Sequence, residues 1–272
     1  GYLIASLLYA TIFDYIGWRG MLWIGVLPAL TVVWIRRYVK EPEVWVENQK
    51  KQAQVHAEVK VPLLAIFKRK VLANTLTACW WMASSFVVYY TVFGLFATYL
   101  QKDLHLSAAA VGWPLVFSNA LTFIFSFVWG GLADRIGRRW AMIIPAIIGL
   151  IVTPFYLLTT DFWSIAVAFS IQGAFAGAIY GQNPSYLTER FPTEVRATAA
   201  AFCYHQGAIF GGLVAPVVTY FAVNMGMGFA TPMLFCTCGA LISFILALLC
   251  GPETKGKVMV ADLEIIEAVE MV

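Results

Sequence analysis

Charged residues in this chain gather into short clusters, with long stretches between them that carry none. Val71 to Gln101, Leu106 to Ala133, Trp140 to Thr160 and Phe162 to Thr188 contain no Asp, Glu, Lys or Arg. Each is long enough to cross a bilayer as a helix, which takes about 20 apolar residues. Ala197 to Pro252 carries no formal charge apart from a proton on His205 and has room for two spans. The Asn-Met-Gly-Met-Gly sequence at Asn224 to Gly228 reads as the turn between them. Met21 to Ile35 is the core of one more span, short but extendable at both ends. The pattern therefore predicts seven helices that span. Gly1 to Phe13 would cover only roughly 20 Å at the helical rise. It is expected to be the end of an eighth helix that begins upstream.

Composition supports lipid as the solvent. The 272 residues are 61% hydrophobic and only 12% charged, with mean hydropathy +0.77. Soluble domains run at about 25% charged, so a water-facing surface of this size could not be covered. A net charge of +3 is too small to point to nucleic acid. The distribution of the basic residues says more than their sum. Of the 18 Lys and Arg, nine lie between Arg36 and Lys70, and Arg135, Arg138, Arg139, Arg190, Arg196, Lys255 and Lys257 lie at alternate later connections. Only Arg19 and Lys102 fall on the other side. A missed or misplaced span would spoil this alternation. The positive-inside rule then places the long basic loop and the C-terminus in the cytoplasm.

The expected organisation is a piece of a first helical half over 1–35, a cytoplasmic loop over 36–70, a bundle of six helices over 71–252 and a cytoplasmic tail over 253–272. The loop is polar and mixed in charge, which suits short interfacial helices facing anionic headgroups. The five cysteines all lie in apolar runs. Cys236-x-Cys238 has neither the spacing nor the neighbours of a zinc site, so no metal and no cofactor is expected. No charged segment precedes the apolar start, so no signal peptide is expected. The spans contain one His and no Asp or Glu. Acid–base or metal-dependent catalysis lacks its parts there, and an enzyme is not expected.

Several loop strings carry more than anchoring. Gly130-Gly-Leu-Ala-Asp-Arg-Ile-Gly-Arg-Arg139 joins two spans on the basic side. Gly131 and Gly137 permit a tight path, Asp134 can accept from amides or a guanidinium, and Arg138 and Arg139 can reach nearby helix ends. The ordered G-x-x-D-R-x-G-R-R string resembles the loop signature of the major facilitator superfamily, in its second-half position. Tyr186-Leu-Thr-Glu-Arg-Phe-Pro-Thr-Glu-Val-Arg-Ala-Thr198 is similar to that superfamily's loop between helices ten and eleven. Gly17-Trp-Arg19, Glu41-Pro-Glu-Val-Trp45 and Gly251-Pro-Glu-Thr-Lys-Gly256 resemble its turn before helix six and the segments after helices six and twelve. The resemblance implies an all-α membrane protein of two six-helix halves, with helices one to four outside this chain. It also implies a cytoplasmic gate network of Gly131, Asp134, Arg135, Gly137, Arg138, Arg139, Glu189, Arg190 and Arg196.

Polar groups within spans are candidates for a solute site. In the first span after the loop, Trp81, Ser84, Ser85 and Tyr89 belong to a dense aromatic and hydroxyl group, and three-to-four spacing places Trp81, a serine and Tyr89 near one face. Asn119, Gln172 and His205 are the other candidates, and His205 could bind a carboxylate or carry a proton. The glycines at 173, 177 and 181, and at 207 and 211, suit close helix contact. The Phe-Pro-Thr-Glu-Val-Arg-Ala-Thr loop and Tyr204 look most like the sialate and lactate symporter branch. That likeness implies proton-coupled uptake of a small carboxylate through a bacterial inner membrane, with the solute, protons and lipid as partners. A sugar or other metabolite symporter stays open, as does a membrane sensor that transports nothing.

Overall fold

The computed structural model describes residues 2–54, 62–257 and 259. Lys60 of the basic loop and most of the tail beyond Lys257 lie outside the described residues. All regular structure among the described residues is helical. A bilayer offers backbone groups no water, so a chain of this composition must satisfy them within each helix. Seven helices are long and apolar enough to cross a membrane: Tyr15–Tyr38, Arg69–Lys102, Ala110–Ile136, Arg138–Leu157, Phe162–Glu189, Arg196–Asn224 and Ala230–Cys250. This is an integral membrane protein.

Helix α1 (Tyr2–Ile24) breaks at Gly17, whose φ of 60° and ψ of −175° suit glycine alone. The break falls at the Gly17-Trp-Arg19 turn expected from sequence. The following span is not one straight helix. Gly25 and Pro28 interrupt it with a 3₁₀ turn at Leu27–Ala29 before α2 (Leu30–Tyr38). Helices α3 (Glu43–Gln54) and α4 (Pro62–Ala65) occupy the polar loop.

The remaining helices build one bundle. Helix α5 (Arg69–Tyr89) continues through a wide π turn at Tyr90–Gly94 into α6 (Leu95–Lys102). Helix α7 (Ala108–Ile136) turns through the single residue Gly137 into α8 (Arg138–Leu157). Helix α9 (Phe162–Gln172) passes through a π turn at Gly173–Gly177 and a 3₁₀ turn at Ala178–Gly181 into α10 (Asn183–Glu189). Helix α11 (Arg196–Thr219) ends in a third π turn at Tyr220–Asn224, and α12 (Ala230–Cys250) closes the bundle. Between α11 and α12, Gly226 and Gly228 take φ values of 67° and 68°. The Asp103 carboxylate accepts from the Phe229 amide at 2.7 Å and so anchors the start of α12.

Helix α5 lies between α11 and α12, and α7 lies between α9 and α1. The core holds Trp81, Phe96, Tyr156 and Phe169, each fully buried. The rings of Phe96 and Phe169 stack at 3.5 Å between centroids. The glycine spacings mark the tightest seams. An added Cβ at Gly207 would stand 2.8 Å from the Met82 carbonyl, and one at Gly211 2.6 Å from the Tyr90 ring.

The α7–α9 seam is a ladder with a period of four. Glycines 173, 177 and 181 face Ser118, Thr122 and Ser126 on α7 in the same order. Hydroxyls on α7 donate to backbone carbonyls along this wide turn, where lipid offers no donor. Ser118 donates to the Phe169 carbonyl at 3.1 Å, and Thr122 donates to the Gly173 carbonyl at 3.0 Å. The Trp129 indole donates to the Ala174 carbonyl at 3.2 Å.

A Cβ at Gly173 would collide with the Ser118 backbone, whereas one at Gly212 meets open space. Gly173→Ala is therefore expected to destabilise the detergent-solubilised protein by about 1–3 kcal/mol through overpacking. Gly212→Ala should be neutral or slightly stabilising, because alanine is the better helix former. Thermal unfolding of the two variants side by side checks the difference.

Candidate functional site: a mid-bundle cavity and a clasp at the basic end

The hydroxyl ladder also forms one wall of a cavity. The cavity has a volume of about 280 Å³ and lies between α1, α5, α7 and the π turn after α9. Asn119, Thr122 and Ser126 come from α7, Tyr89 and Phe93 from α5, Tyr180 from the 3₁₀ turn, and Leu3 from α1. The rings of Tyr89 and Tyr180 lie 4.8 Å apart. Tyr180 donates its hydroxyl to the Ser85 carbonyl, which holds its ring against the wall. The lining is neutral hydroxyl, amide and aromatic, a set that can orient a small polar solute against apolar walls.

Two of the seven solute-site candidates, Tyr89 and Asn119, line this cavity. Trp81 is buried in the core, edge-on to Tyr186 at 5.0 Å. Ser84 shares a hydrogen bond of 2.8 Å with Ser243 of α12 and faces a lateral groove. Ser85 is buried and accepts from the Asn183 amide at 3.2 Å. Gln172 is fully buried between α8 and α9, with neither amide atom paired among the described residues. His205 is exposed on α11, with Nδ1 2.7 Å from the Ala201 carbonyl. The single face expected for Trp81, a serine and Tyr89 is therefore corrected. Eight residues at about 100° each leave Tyr89 rotated by roughly 80° from Trp81, enough to move it from the core to the cavity wall. Thr122, Ser126, Phe93 and Tyr180 were not among the candidates. Their signal was the match between hydroxyls at 118, 122 and 126 and glycines at 173, 177 and 181.

The basic end of the bundle is held by a second cluster. Arg138 begins α8, placed by the one-residue turn at Gly137, whose φ is 100°. Its guanidinium pairs with Asp134 at 2.8 Å and with Glu189 at 3.0 Å. Its Nε also donates to Glu189, at 3.2 Å. Glu189 is 8% exposed and accepts the Thr254 hydroxyl at 2.6 Å as well. One carboxylate thus joins α8, α10 and the segment after α12.

Glu253 was absent from the expected network and sits at its centre. Its carboxylate accepts from the Arg138 amide at 2.9 Å and the Arg139 amide at 3.2 Å. These are free amides at the positive end of α8, where an anion is favoured. An added Cβ at Gly137 would lie 2.7 Å from this carboxylate, so glycine there serves both its φ and the approach of Glu253.

The other expected members divide. Arg139 donates to the Leu249 carbonyl at 3.0 Å. Arg135 has an exposed side chain and takes part through its carbonyl, which accepts from the Lys255 ammonium. Gly131 lies within α7, and a Cβ there would meet open space, so the tight turn is made by Gly137 and not by Gly131. Arg190 turns away from Asp134 and donates to the Asn74 side chain on α5 at 2.7 Å. Arg196 donates to the Thr188 and Phe191 carbonyls at 3.1 and 3.2 Å, bracing the α10–α11 connection.

A family model described as Major Facilitator Superfamily matches residues 82–261, more than half of the chain. The chain belongs to the major facilitator superfamily. Among curated relatives of this superfamily member, the cis,cis-muconate transport protein of Acinetobacter baylyi is 26% identical over 234 residues, 84% of this chain and 56% of the relative. The sialic acid transporter NanX of Escherichia coli is 27% identical over 265 residues, 95% of this chain and 61% of the relative. The inner membrane metabolite transport protein YhjE of Escherichia coli is 28% identical over 226 residues, 78% of this chain and 49% of the relative. The chain thus spans roughly half to three-fifths of the length of these relatives.

Removing one partner of a largely buried ion pair leaves the other charge uncompensated. Glu189→Ala is expected to cost on the order of 3 kcal/mol in the same unfolding measurement. Arg135→Ala, which removes only an exposed side chain, should stay within about 0.5 kcal/mol.

Proposed function

We propose that this chain forms part of a secondary transporter that moves a small carboxylate across a bacterial inner membrane by alternating access, coupled to protons. The observation that carries this reading is the neutral cavity between α1, α5, α7 and α9, set in a chain similar to transporters named for muconate and sialic acid. Both of those solutes are carboxylates. Asn119 keeps one amide hydrogen beside the one it gives to the Leu115 carbonyl and can offer it to a carboxylate oxygen, Thr122, Ser126 and Tyr180 give their hydroxyl hydrogens to backbone carbonyls and shape the polar wall, and Phe93 offers an apolar one. No Lys, Arg or His lines the cavity among the described residues. The solute's charge is then met by donors alone or by groups from helices outside this chain.

In this reading residues 71–252 are the second six-helix half, residues 1–35 close the first, and 36–70 is the central loop. The tail from 253 starts with the clasp. Asp134, Arg138, Glu189, Glu253 and Thr254 hold the inner ends of α7, α8, α10 and α12 together, and they release when the cavity opens inward. The concentration of basic residues on this side supports a cytoplasmic placement.

The test uses the full-length protein in proteoliposomes with labelled muconate, sialate and lactate and an internal pH dye. Uptake of one of these with acidification of the lumen is the expected result. Sugar uptake without carboxylate uptake would favour the sugar-porter alternative, and binding without any flux would favour a sensor. Asn119→Ala should lower uptake by about tenfold or more if its amide holds the solute, since a lost hydrogen bond to a charged group is worth about 1.5–3 kcal/mol. His205→Ala, which lies outside the cavity, should leave uptake within about twofold, near the typical limit for surface changes.

A further inference from the structure

Arg190 is 4% exposed, yet no carboxylate pairs with it among the described residues. Its Nε donates to the Asn74 amide oxygen at 2.7 Å, and its Nη2 to the Asn74 carbonyl at 3.1 Å and to the Thr77 hydroxyl. The guanidinium lies over the Tyr186 ring at 5.2 Å. Its Nη1 is buried with no hydrogen-bond partner. Every one of these neighbours is neutral. Burial pushes the guanidinium below its ordinary pKa, which measures how poorly the site compensates its charge. A buried cation of this kind favours a negative charge nearby.

The stretch of α5 that it grips, Asn74 to Thr77, leads on to a pair of thiols. Cys79 follows Asn74 and Thr77 along α5, and its Sγ lies 3.6 Å from Sγ of Cys203 on α11. Cys203 is fully buried, with its thiol 3.9 Å from the Thr75 carbonyl. Cys79 is only partly buried and lines the lateral groove of about 540 Å³ between α5, α11 and α12. A small reagent can therefore reach Cys79 through the groove, while Cys203 waits behind it.

We propose that Cys79 and Cys203 form a redox-active dithiol site whose oxidant is a hydroperoxide, attacked by Cys79 as its thiolate. The thiolate attacks the terminal peroxide oxygen and breaks the O–O bond. The leaving oxygen takes a proton and departs as alcohol, or as water when the oxidant is hydrogen peroxide. Cys79 is left as a sulfenic acid. The sulfur of Cys203 then attacks the Cys79 sulfur, and the departing hydroxide takes the Cys203 proton and leaves as water. Two thiols and one hydroperoxide give one disulfide, one alcohol and one water, with two electrons passing from sulfur to oxygen. The sulfurs must close from 3.6 Å to about 2.05 Å, a distance within the reach of side-chain rotation. The product staples α5 to α11.

The experiment exposes the full-length protein in native membranes to hydrogen peroxide, quenches with acid, denatures in detergent, alkylates and maps peptides by mass spectrometry. Cys79 and Cys203 should lose alkylation together, appear as one cross-linked peptide pair and recover with dithiothreitol. In Cys203→Ser, Cys79 should instead accumulate a sulfenic acid trapped by dimedone. Retention of both thiols at a peroxide dose that oxidises Cys250 would overturn the site.

Discussion

The backbone of this protein has no water to fall back on, and the α7–α9 seam shows how that constraint shapes the fold. The wide turn at Gly173–Gly177 interrupts the α-helix within a span, where lipid offers backbone carbonyls no donor. Ser118, Thr122 and the Trp129 indole donate to them from the neighbouring helix. That is possible only because glycines at 173, 177 and 181 let the two backbones approach. The cavity is a consequence of the same arrangement. Where the ladder continues past the bend, Thr122 and Ser126 border open space together with Asn119, Tyr89 and Tyr180.

The basic end of the bundle is organised by a different force. Short turns bring the ends of α7, α8, α10 and α12 together, and their free amides and charges must be matched. Glu253 covers the positive end of α8, and Glu189 joins Arg138 to Thr254. The clasp is local and electrostatic, while the bundle behind it is packed through apolar contacts such as the Phe96–Phe169 stack. Arg190 belongs to both regimes. It sits in the loop that carries the clasp, and its charge is buried against α5.

Much of this was legible in the residues. The charge-free runs located the spans because lipid excludes formal charge over about 20 residues. Gly17 marked the break in α1, and Gly226 and Gly228 lie in the expected turn before α12. The loop signature with Asp134, Arg138 and Glu189 pointed to residues that do meet. Azimuth was harder to read. Trp81, Ser84, Ser85 and Tyr89 lie within nine positions, yet they face the core, a lateral groove, α10 and the cavity respectively. The span is apolar on almost all sides, so hydrophobic pattern gives no phase to fix which side faces the cavity.

The sequence by itself determined that the chain lives in a membrane, how many times it can cross and which superfamily it belongs to, because each of these depends on runs and local strings. Only the tertiary structure decided which polar groups share a space. Tyr89 and Asn119 meet, whereas Gln172 and His205 lie elsewhere. Glu253 reaches Arg138 across 115 positions, and Cys79 meets Cys203 across 124. Such pairings are set by the rotation and crossing of packed helices, and those follow from how glycines and bulky side chains interlock between helices distant in sequence.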